Sequence, residues 1–172
     1  MFTWLKNLFG GEPAPEPARD VTLTTLGVGD VVVHLDATYL VEQRITYHQQ
    51  GFFWFDYRLD DGEGRQAWLS VADDDELEVA FFHPIDMIVD IPPPQTLEHD
   101  GVIYTLDESG QVDAKIDRGT GSETRSVVQA WDYESADGRL LGVQCWGEDE
   151  IEVAAGRAIR PVEVDLLPGS SP

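Results

Sequence analysis

The segment Phe52-Phe-Trp-Phe-Asp-Tyr-Arg-Leu59 is followed by Asp61-Gly62 and by a second apolar run at residues 65–72. Dense aromatic residues are typical of β-strands, and Asp-Gly between two such runs predicts a tight hairpin. Because successive side chains of a strand point to opposite faces, both faces of this strand carry rings. One face holds Phe53, Phe55 and Tyr57, and the other holds Phe52, Trp54 and Asp56.

The same pattern of short strands and turns continues through the rest of the chain, and it predicts an all-β fold. No segment after Gly11 has a long helical period, and Pro92-Pro-Pro94 is a stiff break near the middle. Strands are predicted at residues 30–35, 38–47, 52–59, 65–72, 76–82, 102–106, 111–117, 124–133, 139–146 and 151–155.

The two halves of the β region resemble each other in order and spacing. The matched pieces are Phe55-Asp-Tyr57 with Trp131-Asp-Tyr133, Asp61-Gly62 with Asp137-Gly138, and residues 75–80 with residues 149–154. Such self-similarity indicates duplication. We predict two duplicated meander-like β units, residues 20–92 and 93–168, packed as paired small barrels or a sandwich within one compact domain, with residues 169–172 as a tail.

Residues 1–19 differ from this region and are predicted to form a short amphipathic helix followed by a Pro-rich tether. Phe2, Leu5, Leu8 and Phe9 share one helical face, with Trp4 beside it, and these five residues are the candidate interaction element. Three alternatives stay open: the helix lies on a membrane surface, docks on a protein partner, or folds back onto the β region.

Composition excludes several classes of function. The chain has 33 acidic and 11 basic residues, a formal charge of −22, which repels nucleic-acid backbones, so no nucleic-acid partner is expected. Cys145 is the only cysteine, so no internal disulfide or cysteine zinc site is expected. No membrane span or signal peptide is visible, which predicts a cytoplasmic protein, with peripheral contact at the inner membrane face through residues 1–9 left open.

Known catalytic patterns are missing from the sequence, so we expect no catalytic residues, no cofactor and no metal, and therefore a non-enzymatic protein. The acidic turn Asp73-Asp-Asp-Glu76 lacks the spacing of a calcium loop. A surface of rings and carboxylates suits organic cations or arginine-rich partners. The candidate ligand surface is Trp54, Asp56, Trp131 and Asp132; the alternative is that both faces of these strands are buried between the two units.

Several short motifs resemble a bacterial family, domain of unknown function 4178, over residues 24–167. They are Leu26-Gly-Val-Gly-Asp30, Tyr39-Leu-Val41, Trp54-Phe-Asp-Tyr-Arg-Leu59, Trp68-Leu-Ser70, Gly101-Val-Ile-Tyr104, Trp131-Asp-Tyr133 and Gly156. Phe55 is bulkier than this pattern favours. The resemblance implies no established activity and lends no catalytic residues. Similar proteins tend to be encoded near membrane-associated stress proteins and polyamine-synthase-like enzymes, which implies an accessory role at the envelope.

These observations together favour an interaction or adaptor module of a bacterial stress or envelope-associated system. Its acidic and aromatic surface would bind a basic or membrane-associated protein partner. One alternative is a protein that binds a polyamine or another organic cation, and a second is a non-catalytic subunit of an enzyme complex. The sequence does not indicate an oligomeric state.

Overall fold

A computed structural model describes residues 19–170, which form eleven β-strands and one short 3-10 helix, Pro161–Glu163. The strands are β1 (Val31–His34), β2 (Ala37–Gln49), β3 (Phe52–Asp60), β4 (Gln66–Asp73), β5 (Leu77–Pro84), β6 (Thr96–His99), β7 (Val102–Asp117), β8 (Glu123–Ser135), β9 (Arg139–Trp146), β10 (Glu150–Ile159) and β11 (Val164–Leu167). The predicted all-β fold is confirmed. No helix in this part of the chain is long and apolar enough to cross a membrane.

The strands form one antiparallel sheet in the order β11-β1-β2-β3-β4-β5-β10-β9-β8-β7-β6. A further antiparallel pairing joins β2 to β7, with Ile45 opposite Ile116 and Tyr47 opposite Ala114. This pairing closes eight strands, β2 to β5 and β7 to β10, into a ring. Exchanging each of the first five strands with the strand five places later reverses the order from β1 to β6 through the ring and so preserves every pair of neighbouring strands.

The β3–β4 connection is the hairpin that the Asp-Gly dipeptide predicts. Gly62 has a φ of 79°, a left-handed conformation that glycine adopts without strain. The Asp61 carboxylate accepts hydrogen bonds from the backbone N–H groups of Glu63 at 2.9 Å and Arg65 at 3.0 Å. These bonds fix the turn, and the turn sets the register in which Trp54 lies opposite Ala72 and Asp56 opposite Ser70.

The structure corrects one predicted pair of strands. Residues 102–106 and 111–117 are one continuous strand, β7, paired with β8 along its length. The polar, glycine-containing sequence Asp107-Glu-Ser-Gly110 predicts a turn, but an irregularity between Leu106 and Glu108 accommodates it within the strand.

Two short edge strands, β6 and β11, have no counterpart in the sequence prediction. β11 lies beside β1, with Val31 opposite Leu167, so the end of the described chain returns to its beginning. The buried Asp30 carboxylate supports this return, because it accepts hydrogen bonds from the N–H groups of Gly169 at 2.9 Å and Gly27 at 2.7 Å and contacts the Arg19 guanidinium. Four-residue strands are too short for periodicity to reveal, and here long-range pairing defines them.

The outer faces of the ring are covered by two separate apolar cores. The first packs the outward side chains of β3, β4 and β5, including Tyr57, Leu69 and Phe81, beneath β1 and the preceding loop. The second packs Tyr133 and Leu141 of β8 and β9 beneath the segment that carries Val89 and Leu97. These cores hold the ring strands from outside, and the opposite face of the strands points inward. A third apolar core fills part of the interior, with Tyr47 and Val128 buried and Trp54, Trp68 and Trp146 packed against it.

The predicted helix and tether of residues 1–19 lie outside the described residues except for Arg19. The candidate interaction residues Phe2, Trp4, Leu5, Leu8 and Phe9 therefore remain a sequence prediction.

Candidate ligand-binding site

The ring encloses a cavity of about 970 Å³, at the upper end of the range of small-molecule sites. Alternation along β3 and β4 places Trp54, Asp56, Arg58, Trp68 and Ser70 on its wall, because the residues between them pack into the first outer core. The cavity is open to solvent on the side where exposed residues of β5, β7 and β8 line it.

Aromatic rings form one side of the cavity. Tyr47 stacks on Trp54 with ring centroids 5.3 Å apart, and the centroid of Trp146 lies 6.4 Å from that of Tyr47. Phe52 continues the stack, 5.8 Å from Trp54 between centroids, and Trp68 adds a further ring. The faces of such rings attract cations, most strongly where water is partly excluded.

The facing wall, on β7 to β10, carries several small residues beside larger ones such as Val112, Leu140 and Gln144. Gly110, Ala130, Gly142 and Ala154 line it, and a methyl group added at Gly142 would meet nothing closer than Asp132 Oδ1 at 3.9 Å. The cavity is therefore asymmetric, because all of its Trp and Phe side chains come from the first half of the chain.

A hydrogen-bond network joins the two halves across the ring. Gln144 of β9 donates from Nε2 to the Tyr47 hydroxyl at 3.1 Å and accepts from Trp146 Nε1 at 3.2 Å. Both amide atoms of Gln144 are thereby engaged, which fixes its side chain. The network also holds the Tyr47 ring, which lines the cavity, whereas Trp146 packs against Tyr47 outside the lining.

Carboxylates dominate the charge of the cavity. Six of them line it, namely Asp56, Glu78, Glu108, Asp132, Glu134 and Glu152, against a single guanidinium, Arg58. Six negative charges and one positive charge give a formal charge of −5 when all groups are ionised. The guanidinium is only partly engaged, because Arg58 Nη2 donates to Gln66 Oε1 at 2.9 Å, whereas Arg58 Nε is buried without a hydrogen-bond partner in the described chain.

Asp56 lies deepest among these groups, and its Oδ1 atom is buried without a hydrogen-bond partner in the described chain. Burial raises the pKa of Asp56, and the polar side chains of Ser70, Tyr47 and Gln144 offset only part of the rise. A buried carboxylate oxygen without a donor costs free energy, commonly about 1–3 kcal/mol. The Asp56 Oδ1 acceptor is therefore left unsatisfied within the described chain.

The pKa values of two neighbouring carboxyl groups, Asp132 and Glu152, are also raised. Burial, followed by repulsion from Asp56 and Glu108, raises the pKa of Asp132 to about 6. Burial and the adjacent Glu150 raise the pKa of Glu152, while Arg58 lowers it in part. Repulsion within the cavity therefore favours uptake of protons or of another cation.

Because of Asp132, we expect the fold to lose stability as the pH rises from about 4 to about 6. The pKa of Asp132 is raised from 3.8 to about 6 by folding. Between these values the folded protein holds a proton that the unfolded chain has released, and stability falls as pH rises. The full difference is about 3 kcal/mol, and solvent around the exposed Asp132 side chain reduces it to about 1 kcal/mol.

Chemical denaturation at pH 4 and pH 7 measures this effect. The wild type should lose about 1 kcal/mol more than Asp132→Asn over this range, since the amide does not titrate. Equal pH dependence of the two proteins would show that Asp132 titrates normally.

Of the predicted ligand surface, the structure brings Trp54, Asp56 and Asp132 to the cavity and leaves Trp131 outside it. Trp131 lies on the opposite face of β8, where it packs against the second outer core. The reason is the alternation of the strand, which points Trp131 away from its neighbour Asp132.

Sequence reasoning missed most of the remaining wall, including Tyr47, Trp68, Gln144 and Glu152. One signal was present, because the match of residues 75–80 with residues 149–154 pairs Glu78 with Glu152, and both line the cavity. The closure of the ring through β2 and β7, which brings these side chains together, has no local signal.

No group of three His, Cys, Asp or Glu side chains within residues 19–170 has an arrangement that would hold a metal ion. Cys145 is buried, and its thiol donates to the Gly147 carbonyl at 3.5 Å.

Comparison with known proteins shows which family the chain belongs to. Residues 27–161 match the model of the family described as Domain of unknown function (DUF4178). The chain belongs to this family. Uncharacterised proteins of Mycobacterium bovis and Mycobacterium tuberculosis are each 28% identical to it over 150 residues, covering 83% of this chain and 72% of the relative. No solved structure matches the chain significantly.

Proposed function

We propose that the protein binds an organic cation, a linear polyamine such as spermidine, inside the ring, and that it has no catalytic activity of its own. The observation that carries this proposal is the buried Asp56 oxygen without a partner, beside the rings of Trp54 and Trp68. A protonated amine supplies both the missing donor and the missing charge.

The distribution of charge favours a ligand with several amines over a compact cation. The cavity carboxylates come from β3, β5, β7, β8 and β10, so they are spread around the ring instead of converging on one point. A flexible chain with amines at intervals pairs with several of them, while its methylene groups contact the rings.

We further propose that the two halves arose by duplication of one five-strand unit. The symmetric strand order supports this, as does the placement of Asp56 and Asp132 at matched positions of β3 and β8. Later divergence then explains the asymmetry, since Trp68 lines the cavity where the second half has Gly142.

The test is calorimetric titration of spermidine into the full-length protein at about 0.15 M salt, where exposed charges are screened. We expect saturable binding that Trp54→Leu weakens by about tenfold, because the leucine keeps apolar volume and removes the ring face. Trp131→Leu is the matched control and should bind as the wild type does, since Trp131 lies outside the cavity.

Two results would reject this function. Binding that disappears at this salt concentration would reduce the effect to unspecific charge attraction. Equal weakening by the two tryptophan substitutions would show that the loss comes from the fold and not from the cavity.

The adaptor role remains a second proposal and is compatible with the first. A formal charge of −22 supports contact with a basic protein partner. Residues 1–9 would provide recruitment to that partner or to a membrane surface. We place cation binding first because the cavity is a defined, preorganised site.

A further inference from the structure

A second cavity, of about 300 Å³, lies on the outer face of the ring beside the first outer core. Its chemistry is opposite to that of the ring interior, because its polar lining carries no carboxylate. The lining includes His34, Tyr39, Phe81, His83, Arg139 and Arg157. Two guanidiniums and two imidazoles thus meet in a chain with three times as many acidic as basic residues.

The two arginine side chains of this cavity are neighbours although their charges repel each other. Arg139 on β9 and Arg157 on β10 are direct cross-strand partners, so their side chains extend from the same face of the sheet. Like charges directly opposite each other destabilise a strand pair. An anion bound between them would turn this repulsion into attraction.

Neither guanidinium is saturated by its acidic neighbour. Arg139 uses Nε towards Asp137 Oδ2 at 3.0 Å, and Arg157 uses Nη2 towards Glu163 Oε1 at 3.5 Å. Each guanidinium has five N–H donors in a planar fork, so both keep donors for a ligand. Both arginine side chains are about half exposed, where such ion pairs contribute little.

His34 provides a rigid wall for this cavity. It is buried, its Nδ1 donates to the Glu163 carbonyl at 2.9 Å, and its ring lies 4.4 Å from that of Phe81 between centroids. No residue in the described chain hydrogen-bonds its Nε2. His83, two residues along β5, also contacts Phe81, with centroids 5.4 Å apart. The His34 imidazole is therefore held in place before any ligand binds.

We propose that this cavity is a binding site for a small oxyanion, the phosphate or carboxylate group of a metabolite, with Arg139 and Arg157 as its principal ligands. The planar forks of arginine match the geometry of both groups. This site is separate from the ring interior and does not depend on cation binding there.

Titration of inorganic phosphate, and separately of succinate, into the full-length protein at constant ionic strength tests the proposal. The wild type should bind at least one of the two anions saturably. The double substitution Arg139→Gln with Arg157→Gln should weaken that binding at least about tenfold, because it removes both charged forks. Phosphate binding alone would identify a phosphate site, and succinate binding alone a carboxylate site.

The matched control is Arg118→Gln with Arg125→Gln, which removes the same charge at exposed positions outside this cavity. It should leave the affinity unchanged. Without anion, the Arg139/Arg157 variant should be no less stable than the wild type, since it relieves repulsion. If that double variant does not fold, the single Arg157→Gln substitution should weaken binding about threefold or more. Binding of neither anion by the wild type, or equal weakening by the control, would overturn the proposal.

Discussion

Replacing Gly156 by alanine is expected to prevent stable folding. Gly156 lies in β10 between Phe82 of β5 and Leu140 of β9, at the junction of the two halves of the ring. A Cβ atom there would lie 2.2 Å from the Phe81 carbonyl oxygen and 2.8 Å from Phe82 Cα. Both are backbone atoms, so no change of rotamer relieves the clash. We expect a loss of about 3 kcal/mol or more in the free energy of unfolding.

Gly142→Ala is the matched control for this substitution. Gly142 also lies in the ring, on β9, but an added Cβ there would have no neighbour closer than 3.9 Å. Its free energy of unfolding should change by less than about 1 kcal/mol. Urea denaturation of the soluble proteins, together with the soluble yield of each variant, distinguishes the two positions. Similar stability of both variants would show that β5 and β10 are not packed as closely as described.

Local patterns were sufficient to predict most of the fold. The alternation in β3 separates Tyr57, in the outer core, from Trp54 and Asp56, in the cavity, and the Asp61-Gly62 hairpin joins β3 to β4. Each of these features depends on residues close in the chain, where side-chain period and turn chemistry act directly.

Long-range pairings could not be predicted in the same way. The β2–β7 pairing joins residues about seventy positions apart. The local sequence around Ile45 or Ile116 does not indicate which residue lies opposite. Without that pairing, the sequence leaves open whether the second face of β3 is buried or exposed. This is why Trp54 and Trp131 formed one predicted surface, although they lie on opposite sides of the ring wall.

The largest effect on binding is expected from replacing the two matched cavity carboxylates of β3 and β8 by amides, Asp56→Asn with Asp132→Asn. The substitutions keep shape and remove two charges that are already disfavoured, because burial raises the pKa of Asp56, and burial and repulsion from Asp56 raise that of Asp132. Spermidine affinity should fall at least about a hundredfold at pH 7.5, because a hydrogen bond to a charged group contributes about 1.5–3 kcal/mol.

The same double variant should be more stable than the wild type without ligand, by about 1 kcal/mol, since it removes the repulsion. Asp86→Asn with Asp90→Asn removes the same charge at exposed positions outside the cavity and should change neither property. Calorimetric titration and urea denaturation of the three proteins measure both effects. Lower affinity together with higher stability is typical of residues kept for binding, whereas a structural role predicts that stability falls. Undiminished binding by the Asp56/Asp132 variant would place the cation outside the ring.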